Sequence, residues 1–188
     1  MAGERTGEPA LGGIAGIVAT LAGAETAAYL RVRKTLLVDD VFGPAPDVWD
    51  GPIFIHIPKN AGTSIGASGA KFTFGHRDLR WYLRRKPRGR AMPVTFAVIR
   101  HPVDRFVSAF NFLKAGGATA LDRRWIRRSG FGRFEIETFA TQGLARPEFL
   151  GWMHFRPQIE YLTNFEGAVA VDELLRFESL AEEWPAFA

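Results

Sequence analysis

Apolar positions in this chain fall into short blocks separated by polar turns. Ile53, Phe54, Ile55 and Ile57 form a near-continuous apolar run, the pattern of a parallel-sheet strand covered on both faces. Pro58 ends it, because proline brings no N–H to a ladder. Gly62 permits a close backbone approach, and Thr63 and Ser64 favour a helix entry. Residues 94–100 repeat the strand pattern, and Pro102 suits the first turn of a helix over 103–114. Within that helix Val103, Phe106, Val107 and Phe110 recur at i, i+3, i+4 and i+7 and predict the buried face. Ser108 then lies off that face, with Asp104 and Arg105. Residues 155–162 open another helix and Leu174–Phe177 the next strand. Ser179 with Glu182 reads as a capping box for a last helix. Strands alternating with helices predict one α/β domain over 51–188, a parallel sheet flanked by helices.

The remaining segments are less regular. Residues 1–50 read as an N-terminal extension, with a helix over 13–36 and a Gly/Pro-punctuated linker over 38–52. The apolar stretch 10–24 is Ala- and Gly-rich and stops at Glu25, short of the ~20 apolar residues that a membrane span needs. Two Glu and one Arg precede it, which does not match the basic start of a signal peptide. The extension is expected to pack on the domain or on a partner. A membrane-surface role for residues 10–34 is the alternative, and the expected location is cytoplasmic. A helix from Thr63 is weakened by Gly66 and Gly69, 71–75 is a candidate short strand, and 115–151 reads as helical insertions.

Charge sharpens the picture. The net charge of +4 conceals a basic middle: residues 51–100 hold 10 basic groups and 1 acidic group. Such a field attracts anions, whether small ligands or nucleic acid. The absence of cysteine excludes disulfides and thiolate metal sites.

Two loops supply candidate chemistry within that basic middle. After the first strand, Lys59, Asn60, Ala61, Gly62, Thr63 and Ser64 offer a cation and the free N–H groups of a helix start, an anion site. The order is P-loop-like, but the nucleotide-kinase loop places its Lys directly after the last Gly. Here Lys59 precedes Gly62. At the end of the second strand, Arg100 and the Ser108 hydroxyl make a second anion site, where open α/β sheets bind ligands. Two such sites suit a ligand with two separated phosphate groups.

At these residues the chain resembles the PAPS-dependent sulfotransferases, most closely their carbohydrate-sulfating branch. IHIPKNAGTSI resembles the family's 5′-phosphosulfate loop, and VIRHPVDRFVSAF its 3′-phosphate segment, with His101 where the family often has Asp. Supporting likeness continues over 154–162 and 171–180, so that it covers roughly residues 51–180. The resemblance implies 3′-phosphoadenosine 5′-phosphosulfate (PAPS) as sulfuryl donor, no metal, and a hydroxyl acceptor, a carbohydrate that can itself be anionic. Lys59 is then the catalytic cation, and Asn60–Ser64, Arg100 and Ser108 complete the cofactor site. Relatives continue further past the last helix, so the domain is expected to be short of its final cofactor contacts.

The general base is open among several residues. His76 resembles a Gly-His element of this branch and is the first choice; His154 and Glu178 are the alternatives. His56 reads as a strand residue and His101 as support for a turn. The basic run Arg77, Arg80, Arg84, Arg85, Lys86, Arg88 and Arg90, interrupted by Trp81 and Tyr82, is either a solvated face or an acceptor groove. Two rival functions stand beside the enzyme: a P-loop-type nucleotide kinase, and a non-catalytic domain binding nucleotide or polyanion. Nucleic acid is the less favoured partner.

Overall fold

A computed structural model describes residues 51–68 and 75–187. The expectations for 1–50, and for a strand at 71–75, fall outside or almost wholly outside the described residues. Three parallel strands make the sheet: β1 (Ile53–Phe54), β2 (Thr95–Ile99) and β3 (Glu173–Arg176), lying in sequence order. Helices α1 (Gly62–Ala67) and α2 (Leu79–Arg85) connect β1 to β2. Between β2 and β3 run α3 (Pro102–Lys114), α4 (Ala120–Ser129), a 3₁₀ turn at Phe131–Arg133, α5 (Ile136–Thr138) leading into a π turn at Phe139–Gly143, α6 (Pro147–Leu150) and α7 (Ile159–Leu162). Helix α8 (Leu180–Phe187) follows β3. The α/β class and the parallel sheet are as expected; the sheet is small.

Strand alternation separates two cores. Ile53, Ile55, Ile57 and Ala97 point to one face, against Leu79, Trp81, Tyr82, Tyr161 and Leu162. Phe54, Phe96, Val98 and Leu175 point to the other, against Ile65 and α8. Successive strand side chains face opposite ways, so a continuous apolar run fills both layers. Asp172 sets the start of the β2–β3 pairing: its Oδ2 accepts from the amide and the hydroxyl of Thr95, both at 2.7 Å. A third core is helical and largely aromatic, with Phe110, Phe131, Phe139, Phe149, Trp152 and Phe155 packed together.

Two local expectations are corrected. The buried residues of α3 are Arg105, Ala109, Phe110 and Leu113, whereas Val103 and Val107 are only half-buried. Arg105 points inward because it satisfies carbonyls of two loops: it donates to Pro58 O (3.0 Å), Arg156 O (3.0 Å) and Met153 O (3.5 Å). At the start of α8 the Ser179 hydroxyl donates to Glu183, not Glu182, and Glu183 also accepts from the Arg176 amide.

A buried guanidinium serving three carbonyls is costly to lose, because each abandoned acceptor remains desolvated. Arg105→Met is expected to lower stability by about 2 kcal/mol or more, read as a fall in the urea midpoint with an unchanged m-value.

Candidate active site

A pocket of about 320 Å³ opens at the carboxyl ends of all three strands. His56, Pro58, Lys59, Ala61, Gly62 and Thr63 reach it from the segment after β1, Arg100 from the end of β2, and Phe177 from the end of β3. Ser108 and Phe112 of α3, together with His76 and His154, close it. The sheet ends there because ladder pairing stops and each chain turns away, the usual ligand position in open α/β sheets.

The loop after β1 has an unusual backbone. Lys59 (φ 72°) and Ala61 (φ 59°) are the left-handed non-glycine residues among those described. Between these two reversals the Asn60 side chain turns inward and the neighbours turn out. Asn60 is fully buried and donates to Val98 O (2.7 Å) and Gln158 Oε1 (2.6 Å). The Gln158 amide also accepts from Arg100 N (3.0 Å) and donates to Arg100 O (2.8 Å). One side chain therefore joins the loop after β1 to the end of β2. Gly62 is required for packing: a Cβ there would stand 1.8 Å from Nε2 of His56. That ring is confined between Phe54 and His76.

Lys59 projects its ammonium over the Phe112 ring, 4.0 Å from the centroid. Arg100 lies over Phe177 at 4.1 Å and donates to Lys59 O at 3.2 Å. Among the described residues no carboxylate lines the pocket. Burial, then the neighbouring Arg100, holds Lys59 below its ordinary pKa, while Asp122 acts the other way.

Three histidines meet on one side. The His56 and His76 ring centroids are 4.3 Å apart, and His76 and His154 are 6.2 Å apart. Nδ1 of His76 lies 3.2 Å from the His56 carbonyl. A carbonyl only accepts, so Nδ1 carries the hydrogen and the lone pair resides on Nε2. Burial lowers all three rings: His56 and His154 are each pushed down to about 3, and His76 falls as well. Asp122 pulls His76 and His154 upward.

The structure thus gathers Lys59, Ala61, Gly62, Thr63, His76, Arg100 and Ser108 around one pocket. It does not bring in the side chains of Asn60, which faces the interior, or Ser64, an exposed residue of α1 outside the lining. Helix α1 spans only six residues, and the loop before it is not the glycine-rich phosphate loop of kinases. Glu178 lies outside the lining and accepts from His101 N at 2.6 Å; His154 lies within it. His56, read as a strand residue, follows β1 and lines the pocket. The basic run contributes nothing to the lining: Arg77 is buried, Arg80 donates to Glu160 O, and Arg84 and Arg85 sit on Phe165 and Trp81. Phe112 was missed, although it stands four residues after Ser108 and so shares its helix face.

Neither a family model, nor a curated protein, nor a solved structure matches this chain. Among the described residues no helix is long and apolar enough to cross a membrane.

The buried histidines generate a stability prediction. His56 and His154 are neutral in the fold down to about pH 3, whereas in the unfolded chain they take protons below about 6.5. Between these values the unfolded state binds more protons, so stability is full above about pH 6.5 and is lost as pH falls. At pH 5 the expected loss is about 2 kcal/mol per ring. Urea titrations at pH 7 and pH 5 measure it, and the gap should shrink in His56→Phe if that ring contributes.

Proposed function

We propose that this chain is a sulfotransferase that moves a sulfuryl group from PAPS to an acceptor hydroxyl, with a carbohydrate as the acceptor class. The observation that carries this reading is the meeting of Lys59, Arg100 and Ser108 in one pocket. These residues come from three segments up to 49 positions apart in sequence, and they match the two motifs through which the chain resembles the family. Lys59 and the loop 61–63 receive the phosphosulfate; Arg100 and Ser108 receive the 3′-phosphate. The order of the loop favours this reading over a nucleotide kinase, because Lys59 precedes Gly62 where a kinase loop has its Lys directly after the last Gly.

The chemistry follows from the site's charge. As the acceptor oxygen attacks sulfur, an O–S bond forms and the S–O bond to the donor phosphate breaks. Negative charge grows on the departing phosphate oxygen, where the Lys59 ammonium stabilises it. The acceptor's proton passes to a histidine, and His76, which lines the pocket, is our first choice for that role. Burial keeps His76 neutral in the unloaded pocket, which leaves it competent as a base. Incoming anions then raise the pKa of the rings they approach.

Calorimetry with PAP, the desulfated product nucleotide, tests the reading. Binding is expected with EDTA present, and Arg100→Ala should weaken it by about 2–4 kcal/mol, the scale for stripping one partner from a desolvated charge pair. No PAP binding, or a strict need for Mg²⁺, would overturn it.

Lys59→Ala separates catalysis from affinity. Its cation acts on charge that appears only during transfer, so kcat should fall about 10²–10³-fold with a much smaller change in the Kd of PAPS. A loss confined to Kd would make Lys59 a binding residue only.

A further inference from the structure

Asp122 is not used in the proposed reaction. It is 3 % exposed. At the third position of α4 it completes a capping box with Thr119. Its two oxygens have different work. Oδ2 accepts from Ala118 N (3.2 Å), Thr119 N (3.0 Å) and the Thr119 hydroxyl (2.8 Å). Oδ1 faces Nδ1 of His154 at 3.9 Å. The turn before α4 folds tightly over it: a Cβ at Gly117 (φ 66°) would meet the Asp122 side chain at 2.3 Å.

His154 is equally enclosed, at 4 % exposed, and among the described residues its Nδ1 has no hydrogen-bond partner. An unpartnered buried ring nitrogen costs free energy unless a group nearby completes it. Asp122 Oδ1 lies beyond hydrogen-bond reach of it by less than an ångström. On its other side the ring borders the pocket, with Phe112 at 5.0 Å between centroids and His76 at 6.2 Å. The charged groups that act on it are Asp122 of α4, Lys59 of the loop after β1, His76, and Arg105 of α3.

We propose that Asp122 is the positioning residue of His154: its carboxylate holds the hydrogen on Nδ1, so that the ring presents its Nε2 lone pair to the pocket as a second proton acceptor beside His76. The arrangement is a carboxylate–imidazole pair of the kind that selects a tautomer and steadies the imidazolium that forms. It is built from a helix cap, so the same residue that starts α4 also orders the pocket. The role in proton transfer rests on the sulfotransferase reading; the tautomer does not.

The tautomer is measured on the unloaded chain by ¹⁵N NMR of the His154 ring at neutral pH. The hydrogen is expected on Nδ1. In Asp122→Asn the three cap donors still require an oxygen, so the amide nitrogen must face His154. That group donates, which forces the lone pair onto Nδ1 and the hydrogen onto Nε2. Inversion of the tautomer supports the pair; the same tautomer in both proteins overturns it, as does a wild-type hydrogen on Nε2, which needs no variant to observe. Thr119→Ala weakens the cap from its other side and keeps the carboxylate; it should lower the Tm and leave the tautomer unchanged. PAP calorimetry on the same samples reads the cofactor assignment separately. If that assignment holds, Asp122→Asn should reduce kcat by about 10-fold to 10³-fold while PAP affinity stays close to wild type, since the wrong tautomer withholds a base and not a binding group.

Discussion

The geometry of the pocket depends on holding one loop in a conformation that its own residues resist. Lys59 and Ala61 both occupy the left-handed region, which costs L-residues about 1–2 kcal/mol each. Such a backbone persists only where its surroundings over-determine it. Here Arg105 binds the carbonyl of Pro58, Arg100 binds that of Lys59, and Asn60 is anchored to Val98 and Gln158. The Gln158 amide in turn holds both backbone groups of Arg100. Loop and strand end are therefore one hydrogen-bonded unit, and the position of Lys59 relative to Arg100 follows from it.

The electrostatic design is consistent with that frame. Lys59 and Arg100 sit close together on aromatic faces, Phe112 and Phe177, in a pocket that no carboxylate lines among the described residues. A ring quadrupole offsets part of a cation's desolvation, by about 0.5–2 kcal/mol, without neutralising it. The charges remain available to an arriving anion. Asp122 is the buried carboxylate whose field reaches Lys59, His76 and His154 together, and it does so from behind the wall.

Much of this was readable before any coordinates. The apolar runs at 53–57 and 94–100 located two strands, and the shift to helical spacing after Pro102 located α3. Residue type just after a strand singled out Lys59 and Arg100, and a hydroxyl on the following helix singled out Ser108. Two readings of side-chain direction failed for a common reason: each was taken from local sequence alone. Arg105 was placed off the buried face by helical spacing, yet three loop carbonyls draw it inward. Asn60 was counted with its loop, yet the alternating left-handed turns send it the opposite way from Lys59. The basic run at 77–90 lies outside the lining of the pocket, because charge marks a surface without saying which surface.

What the sequence by itself determined is the class of fold, the order of its strands and helices, and the residue types at the strand ends. Those depend on local pattern: two-residue alternation, helical spacing, and the punctuation of Pro58, Gly62 and Pro102. Tertiary structure decided which of those residues meet. Gln158 joins β1's loop to β2 across 98 positions of sequence from Asn60, and Asp122 reaches His154 from another helix. Neither contact has a periodicity to announce it, because each arises where a buried polar group needed a partner and the packing of distant elements supplied one.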